Sequence, residues 1–181
     1  MDDIIKANEF HASRIIDGTT SLREGDIAVT AGRRSKVCFA RSCLWSKCWS
    51  YLGARGGRQT VSLQSPDCLR VGVISHEFMH ALGFVHEQSR FDRDNYVTVM
   101  WPNIWRDRLR NFEKFKTDNL NLPYDYGSIM HFGMYAYSQD GEPTIVPKNI
   151  KNIKLGQTSS LSHIDKLKIN KLYQCGDADD Y

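Results

Sequence analysis

Twelve consecutive residues of the 181-residue chain carry most of its chemistry: His76-Glu77-Phe78-Met79-His80-Ala81-Leu82-Gly83-Phe84-Val85-His86-Glu87. The pattern H-E-x-x-H-x-x-G-x-x-H predicts a hydrolytic zinc site. On a helix, residues four apart share a face with their Cβ atoms about 5–6 Å apart, so His76 and His80 can aim two imidazoles at one ion. Gly83 falls where that helix must end, because a residue without Cβ readily takes the left-handed conformation that turns the chain back. The turn delivers His86 as a third ligand. Three neutral imidazoles at about 2.0–2.1 Å leave one corner of a tetrahedral Zn²⁺ open to water, the arrangement of a catalytic zinc. Glu77 adjoins the first ligand in sequence but cannot share its direction on the helix, so it is the expected general base. An isolated H-E-x-x-H pair arises by accident in long proteins. Here the glycine and the third histidine follow at the required offsets, and a methionine-bearing turn, Ser128-Ile129-Met130-His131-Phe132, lies downstream. The expectation is one Zn²⁺ per chain.

These ligands need a helix beneath them, and Val71, Val73, Ile74, Phe78, Leu82 and Phe84 are the apolar residues expected to bury it. Alternation from Gln59 to Leu63 suggests a strand, and Cys68 leads into the zinc helix. A further helix is expected from Asn103 to Phe115, with Trp105, Leu109 and Phe112 as a core stripe. Ser162 is placed to cap a last helix running through Tyr173, with Ile164, Leu167 and Leu172 inward. Lys166, Lys168 and Lys171 on that helix, and Arg106, Arg108 and Arg110 on the previous one, read as solvated faces. His11, His131 and His163 have no partners at metal spacing. His131 belongs to the methionine turn and is expected to satisfy structural hydrogen bonds; the other two read as surface residues.

Composition bounds the rest. With 41% hydrophobic residues, 181 residues suffice for one modest core, and a net charge of +3 is too mild to suggest a nucleic-acid partner. No run of 18 apolar residues is present, so no membrane span is expected. The start, Met1-Asp2-Asp3-Ile4-Ile5-Lys6, lacks the apolar stretch of a secretory leader.

The string His76 to Asp94, including Phe84-Val85-His86-Glu87-Gln88-Ser89-Arg90-Phe91-Asp92-Arg93-Asp94, resembles the astacin family of metzincin metalloproteases. Tyr124-Asp125-Tyr126-Gly127-Ser128-Ile129-Met130-His131 resembles its Met-turn, which contains Met130. The likeness runs from about Cys48 to Cys175, and Asn119–His131 and Leu161–Cys175 look most like the fish hatching-enzyme, six-cysteine branch. The resemblance implies an α+β fold: a metzincin-like zinc protease domain with an active-site helix. It implies a secreted zinc metalloendopeptidase, made as a zymogen, that acts on protein or peptide substrates.

Residues 1–34 are polar and without clear periodicity, and Leu22-Arg23-Glu24-Gly25-Asp26 resembles the family's propeptide motif, in which an aspartate reaches the zinc. Asp26 is thus the candidate latency switch, with an ordinary surface turn as the alternative. Arg33-Arg34 suits cleavage by an activating trypsin-like protease. In the family the new amino terminus is buried near the acid after the third histidine, here Glu87; the alternative for Glu87 is a surface ion pair with Arg90 or Arg93. The domain reading is a propeptide-like segment at 1–34, a peptidase domain at 35–175 and an acidic tail at 176–181.

Five cysteines are an odd number for a secreted-type chain. By resemblance, Cys38 pairs with Cys43 and Cys48 with Cys68, leaving Cys175 over. Its family partner lies in a segment that should separate the Cys43 region from Cys48, yet Leu44-Trp45-Ser46-Lys47 passes straight into Cys48. The implied fold therefore has a truncated upper sheet, without the edge strand that pairs with extended substrate. Phe132 stands where the family usually has a tyrosine that stabilises the tetrahedral intermediate. A shortened, catalytically weak zinc-binding relative acting as a binding module is the alternative function.

Overall fold

The computed structural model describes residues 21–23, 27–29, 48–148, 150 and 152–175. The chain forms two compact units, 1–85 and 86–181. Asp26, the Arg33-Arg34 pair, Cys38, Cys43, His11 and the 176–181 tail lie outside the described residues.

In the first unit four short strands form one sheet in the order β1 (Ser21–Arg23), β2 (Ile27–Val29), β3 (Trp49–Tyr51), β4 (Val61–Ser62). β1 and β2 pair antiparallel, β2 and β3 parallel, and β3 and β4 antiparallel. The expected strand at 59–63 is present but shorter. β1 and β2 fall in a stretch without visible periodicity because a three-residue strand is too short to repeat a two-residue alternation. A Cys48–Cys68 disulfide, with an S–S distance of 2.09 Å, ties the start of β3 to the turn before helix α1 (Val71–Ala81).

α1 does not bury the residues expected. Val71 is 73% and Phe78 52% exposed, whereas Gly72, Glu77, Met79 and His80 are buried. Positions 72, 76, 79 and 80 lie on one stripe of a 3.6-residue repeat, and Val71 and Phe78, seven apart, lie on another. The helix buries its ligand-bearing stripe in preference to its most apolar one. The Gly53 N–H donates to the His80 carbonyl oxygen at 2.8 Å, joining the loop after β3 to this stripe.

The helix stops as the glycine requires. Gly83 has φ +100°, its N–H donates to the His80 carbonyl at 2.8 Å, and the Phe84 N–H reaches back to the Met79 carbonyl at 3.0 Å. These are the two bonds of a Schellman motif, which satisfy carbonyls that have no helical partner.

The second unit contains an antiparallel pair, β5 (Val97–Val99) and β6 (Ile145–Pro147), and helix α2 (His163–Tyr173). Its core gathers Val97, Val99, Ile104, Phe112, Tyr124 and Ile145, with Leu109, Phe132 and Tyr137 packed against it. The helix expected at 103–115 is replaced by two 3₁₀ turns, Trp101–Asn103 and Arg106–Phe112. Between them Ile104 bridges Ser138, and the Trp105 N–H donates to the Tyr137 carbonyl at 3.1 Å. That pairing needs extended backbone and breaks the helix. Trp105 is consequently 53% exposed, while Phe112 is fully buried as expected.

Two buried arginines hold the irregular backbone together. Arg93 Nη1 donates to the carbonyls of Gln88 (2.8 Å) and Phe112 (2.7 Å), and Arg90 Nη1 to that of Pro123 (3.0 Å). Acceptors left without ladder partners are thereby satisfied. α2 begins with a capping box: Ser162 Oγ accepts from the Asp165 N–H at 2.9 Å, and Asp165 Oδ2 accepts from the Ser162 N–H at 3.0 Å. Its inward apolar residues are only half-buried, and its fully buried ones are Asp165 and Lys168. Lys168 therefore departs from the solvated face expected of it, whereas Lys166, Lys171, Arg106, Arg108 and Arg110 are exposed.

Candidate metal centre

α1 supplies His76 and His80 one turn apart, and their rings meet edge to face with centroids 4.7 Å apart. Their Nε2 atoms stand 3.1 Å apart. Two ligands at about 2.05 Å from one ion, separated by a tetrahedral angle, would be roughly 3.3 Å apart. The fixed approach of two basic nitrogens therefore fits a shared cation. His80 Nδ1 lies 2.8 Å from the Phe84 carbonyl oxygen. A carbonyl only accepts, so the proton sits on Nδ1 and Nε2 keeps its lone pair for a metal. With His86 included, one ligand atom from each of the three histidines lies within 4.8 Å of the others. Histidines 80 and 86 are fully buried and His76 is half-buried. The donor set is three imidazoles, which suits zinc. Glu77, between the α1 ligands in sequence, is 2% exposed.

The chain leaving His86 is anchored at once. Glu87 donates its N–H to the Met130 carbonyl at 2.9 Å, joining the segment that carries His86 to the methionine turn. Its carboxylate is 2% exposed, not on the surface. Oε1 accepts from Arg90 Nη1 at 3.1 Å and from the Asp125 N–H at 2.9 Å, and Oε2 accepts from Lys168 Nζ. Arg90 also grips Asp92 through Nε at 2.9 Å and Nη2 at 2.8 Å. Burial opposes ionisation of Asp92, but the hydrogen bond and charge of Arg90 outweigh it and hold that carboxyl below its usual range.

The methionine turn is clamped from both sides. Asp165 Oδ1 accepts from Ser128 Oγ at 2.6 Å and Oδ2 from the Ile129 N–H at 2.9 Å, while Gln88 Oε1 accepts from the Phe132 N–H at 2.9 Å. Met130 is 1% exposed. The Phe132 ring packs on His86, centroids 4.5 Å apart. Gly156, at φ +78°, backs onto the following residue so tightly that a Cβ there would lie 2.5 Å from the Gly133 Cα.

His131 points into this structure. Nδ1 faces the Phe132 carbonyl at 2.8 Å, which puts a proton on Nδ1, and in the neutral ring Nε2 accepts from the Tyr124 hydroxyl at 2.7 Å. Burial, opposed by that backbone bond and reinforced by the His86 and Lys168 charges, lowers its pKa to about 4. Its expected structural role agrees with these bonds. His163 is exposed, and Cys175 is an exposed free thiol.

Sequence reasoning missed Lys168, Asp165 and the burial of Arg90 and Arg93. The one available signal was the S-x-x-D spelling of a capping box at Ser162.

A family model described as Astacin (Peptidase family M12A) matches residues 26–174. Zinc metalloproteinase nas-14 of Caenorhabditis elegans is 50% identical over 133 residues, covering 72% of this chain and 26% of that protein. High choriolytic enzyme 1 of Oryzias latipes is 47% identical over 165 residues, covering 91% of this chain and 59% of that one. The solved structure of that hatching enzyme zinc-protease from medaka superposes with a TM-score of 0.70, covering 73% of this chain and 68% of its own, at 47% identity. The chain thus spans between about a quarter and three-fifths of the length of these curated relatives.

Proposed function

The chain belongs to the astacin family of zinc peptidases, and from that premise we propose that it is a zinc-dependent metalloendopeptidase that hydrolyses peptide bonds of protein substrates. The observation that carries the reading is the set of three imidazole nitrogens within 4.8 Å, with Glu77, next in sequence to the first ligand, buried. When bound, zinc supplies Lewis acidity to the scissile carbonyl and brings the pKa of a water near 7. His76, His80 and His86 hold it, and Glu77 accepts the proton of the attacking water and returns it to the leaving amine. Elemental analysis and a peptide-cleavage assay test this together. Glu77→Ala is expected to keep about one zinc per chain and lose cleavage, and His80→Ala to lose most of the metal. Cleavage surviving in Glu77→Ala, or equal zinc in His80→Ala, would sink the assignment.

The zymogen reading rests on Asp26 and the Arg33-Arg34 pair. A carboxylate on the metal excludes the nucleophilic water, so Asp26→Ala should raise the activity of the uncut chain, and cutting before Ser35 by a trypsin-like protease should do the same. No gain from either would remove the switch. Export fits the Cys48–Cys68 disulfide, since such bonds persist in oxidising compartments; among the described residues no helix is long and apolar enough to cross a membrane. The implied loss of a segment before Cys48 fits the very short strands β3 and β4 and the free thiol of Cys175.

One observation favours the second reading, a catalytically weak zinc-binding relative. Phe132 presents a ring to His86 without a hydroxyl, and loss of one donor to a developing oxyanion commonly costs about 100- to 1,000-fold in rate.

A further inference from the structure

We propose that Lys168 is a positioning residue for the metal centre: its buried ammonium, delivered by α2, neutralises Glu87 and thereby fixes the backbone that presents His86. The inference rests on the reading of His86 as a zinc ligand. Lys168 is 7% exposed, although a lysine on a surface helix ordinarily keeps its charge in water. A buried ammonium persists only where it is paired. Its partner, Glu87 Oε2, belongs to the residue directly after His86. Through its N–H the same residue holds the Met130 carbonyl, and through Oε1 the Asp125 N–H. Glu87 is therefore the junction at which the segment carrying His86, the methionine turn and the segment before that turn are fastened.

The charges close around that junction. Glu87 and Asp92 face Arg90 and Lys168, two anions against two cations. Removing the ammonium leaves Arg90 shared between two carboxylates, one of them almost fully buried and still accepting from a backbone amide. Arg90 lacks the reach to replace it. Its Nε and Nη2 are committed to Asp92, and Nη1 is divided between Glu87 and the Pro123 carbonyl. The unmatched carboxylate must then move towards water, and that movement pulls on the backbone next to His86. α2 is suited to the task because Asp165, one turn before Lys168, lies on the same face and holds Ser128 and Ile129 of the turn. One helix face thus presents an anion to the methionine turn and a cation to Glu87, next to His86.

The test uses the full chain, Zn²⁺ competed with a chromophoric chelator, and the visible spectrum of the Co²⁺-loaded protein. Outer-shell partners of metal ligands are commonly worth about 10- to 100-fold in affinity. Lys168→Met is expected to raise the zinc Kd by about that much and to alter the Co²⁺ ligand-field bands. Lys168→Arg is expected to restore most of the affinity, and Lys166→Met, on the exposed face of the same helix, to match wild type. A zinc Kd for folded Lys168→Met within about threefold of wild type, with unchanged Co²⁺ bands, overturns the proposal. Should Lys168→Met not fold, the comparison passes to Lys168→Arg, Glu87→Gln and the double variant Glu87→Gln/Lys168→Met. A double variant whose zinc Kd matches that of Glu87→Gln supports the pairing, since the lysine then has no carboxylate left to act through, and a further loss of about tenfold or more overturns it. If wild type itself holds no zinc, the ligand assignment fails instead, so the two failures are distinguishable.

Discussion

A phenyl ring packed 4.5 Å from the ring of His86 decides how much of the chemistry the metal must carry alone. Phe132 is held by its N–H to Gln88 and by the close approach of Gly156 to Gly133, so a tyrosine at 132 would keep the ring and add a hydroxyl at its far end. We expect Phe132→Tyr to raise kcat on a short peptide by roughly tenfold or more with little change in KM, because an oxyanion contact is made mainly in the transition state. Steady-state kinetics on zinc-loaded protein checks this, and an unchanged kcat would place the ring away from the reacting carbonyl. At this scale the ligands were legible because their offsets match helix geometry, and the methionine turn because its wording is specific. Lys168 was not. A lysine on a mixed helix looks solvated until the fold brings a carboxylate 81 positions away in sequence against it, and no local pattern encodes that meeting.

Helix α2 shows how an element can be legible in outline and hidden in purpose. The cap at Ser162 follows from sequence, yet Asp165, which drew no reading of its own, serves two roles. Its carboxylate receives the Ser162 N–H, the Ser128 hydroxyl and the Ile129 N–H while fully buried. Ser162→Ala should therefore cost about 1 kcal/mol, the usual value of an N-cap. Asp165→Ala, which strands several buried donors at about 1–3 kcal/mol each, should cost at least about 3 kcal/mol. Urea unfolding of the two variants compares them directly. Equal losses would mean that the bonds to the methionine turn contribute nothing beyond the cap. The 103–115 segment illustrates the opposite case. Its apolar spacing is helical, but backbone pairing of Ile104 and Trp105 with residues 137 and 138 prevails, and tertiary pairing of this kind overrides propensity without leaving a trace in the window read.

For the molecule as a whole, acid works against the second unit, because its core contains an imidazole whose pKa is lowered by burial. His131 is 4% exposed, bonded at both ring nitrogens, and its pKa is lowered from 6.5 to about 4 by burial first and neighbouring charge second. Above pH 6.5 the ring is neutral in both folded and unfolded chains and contributes no pH dependence. As pH falls from 6.5 towards 4, the unfolded chain takes up a proton that the folded chain refuses, so stability declines through that window. Below about 4 the folded ring is protonated too, and the contribution levels off. A shift of this size corresponds to about 3 kcal/mol. Zinc-free protein is the cleaner material, since acid also releases a bound metal and that loss would add to the pH dependence. Urea midpoints measured from pH 7.5 to 4 should fall steeply for wild type and less steeply for His131→Gln, which keeps an amide donor and acceptor but cannot titrate. The His131→Gln chain will be less stable at neutral pH, so the comparison is between slopes, and identical slopes would assign the acid sensitivity to groups other than His131.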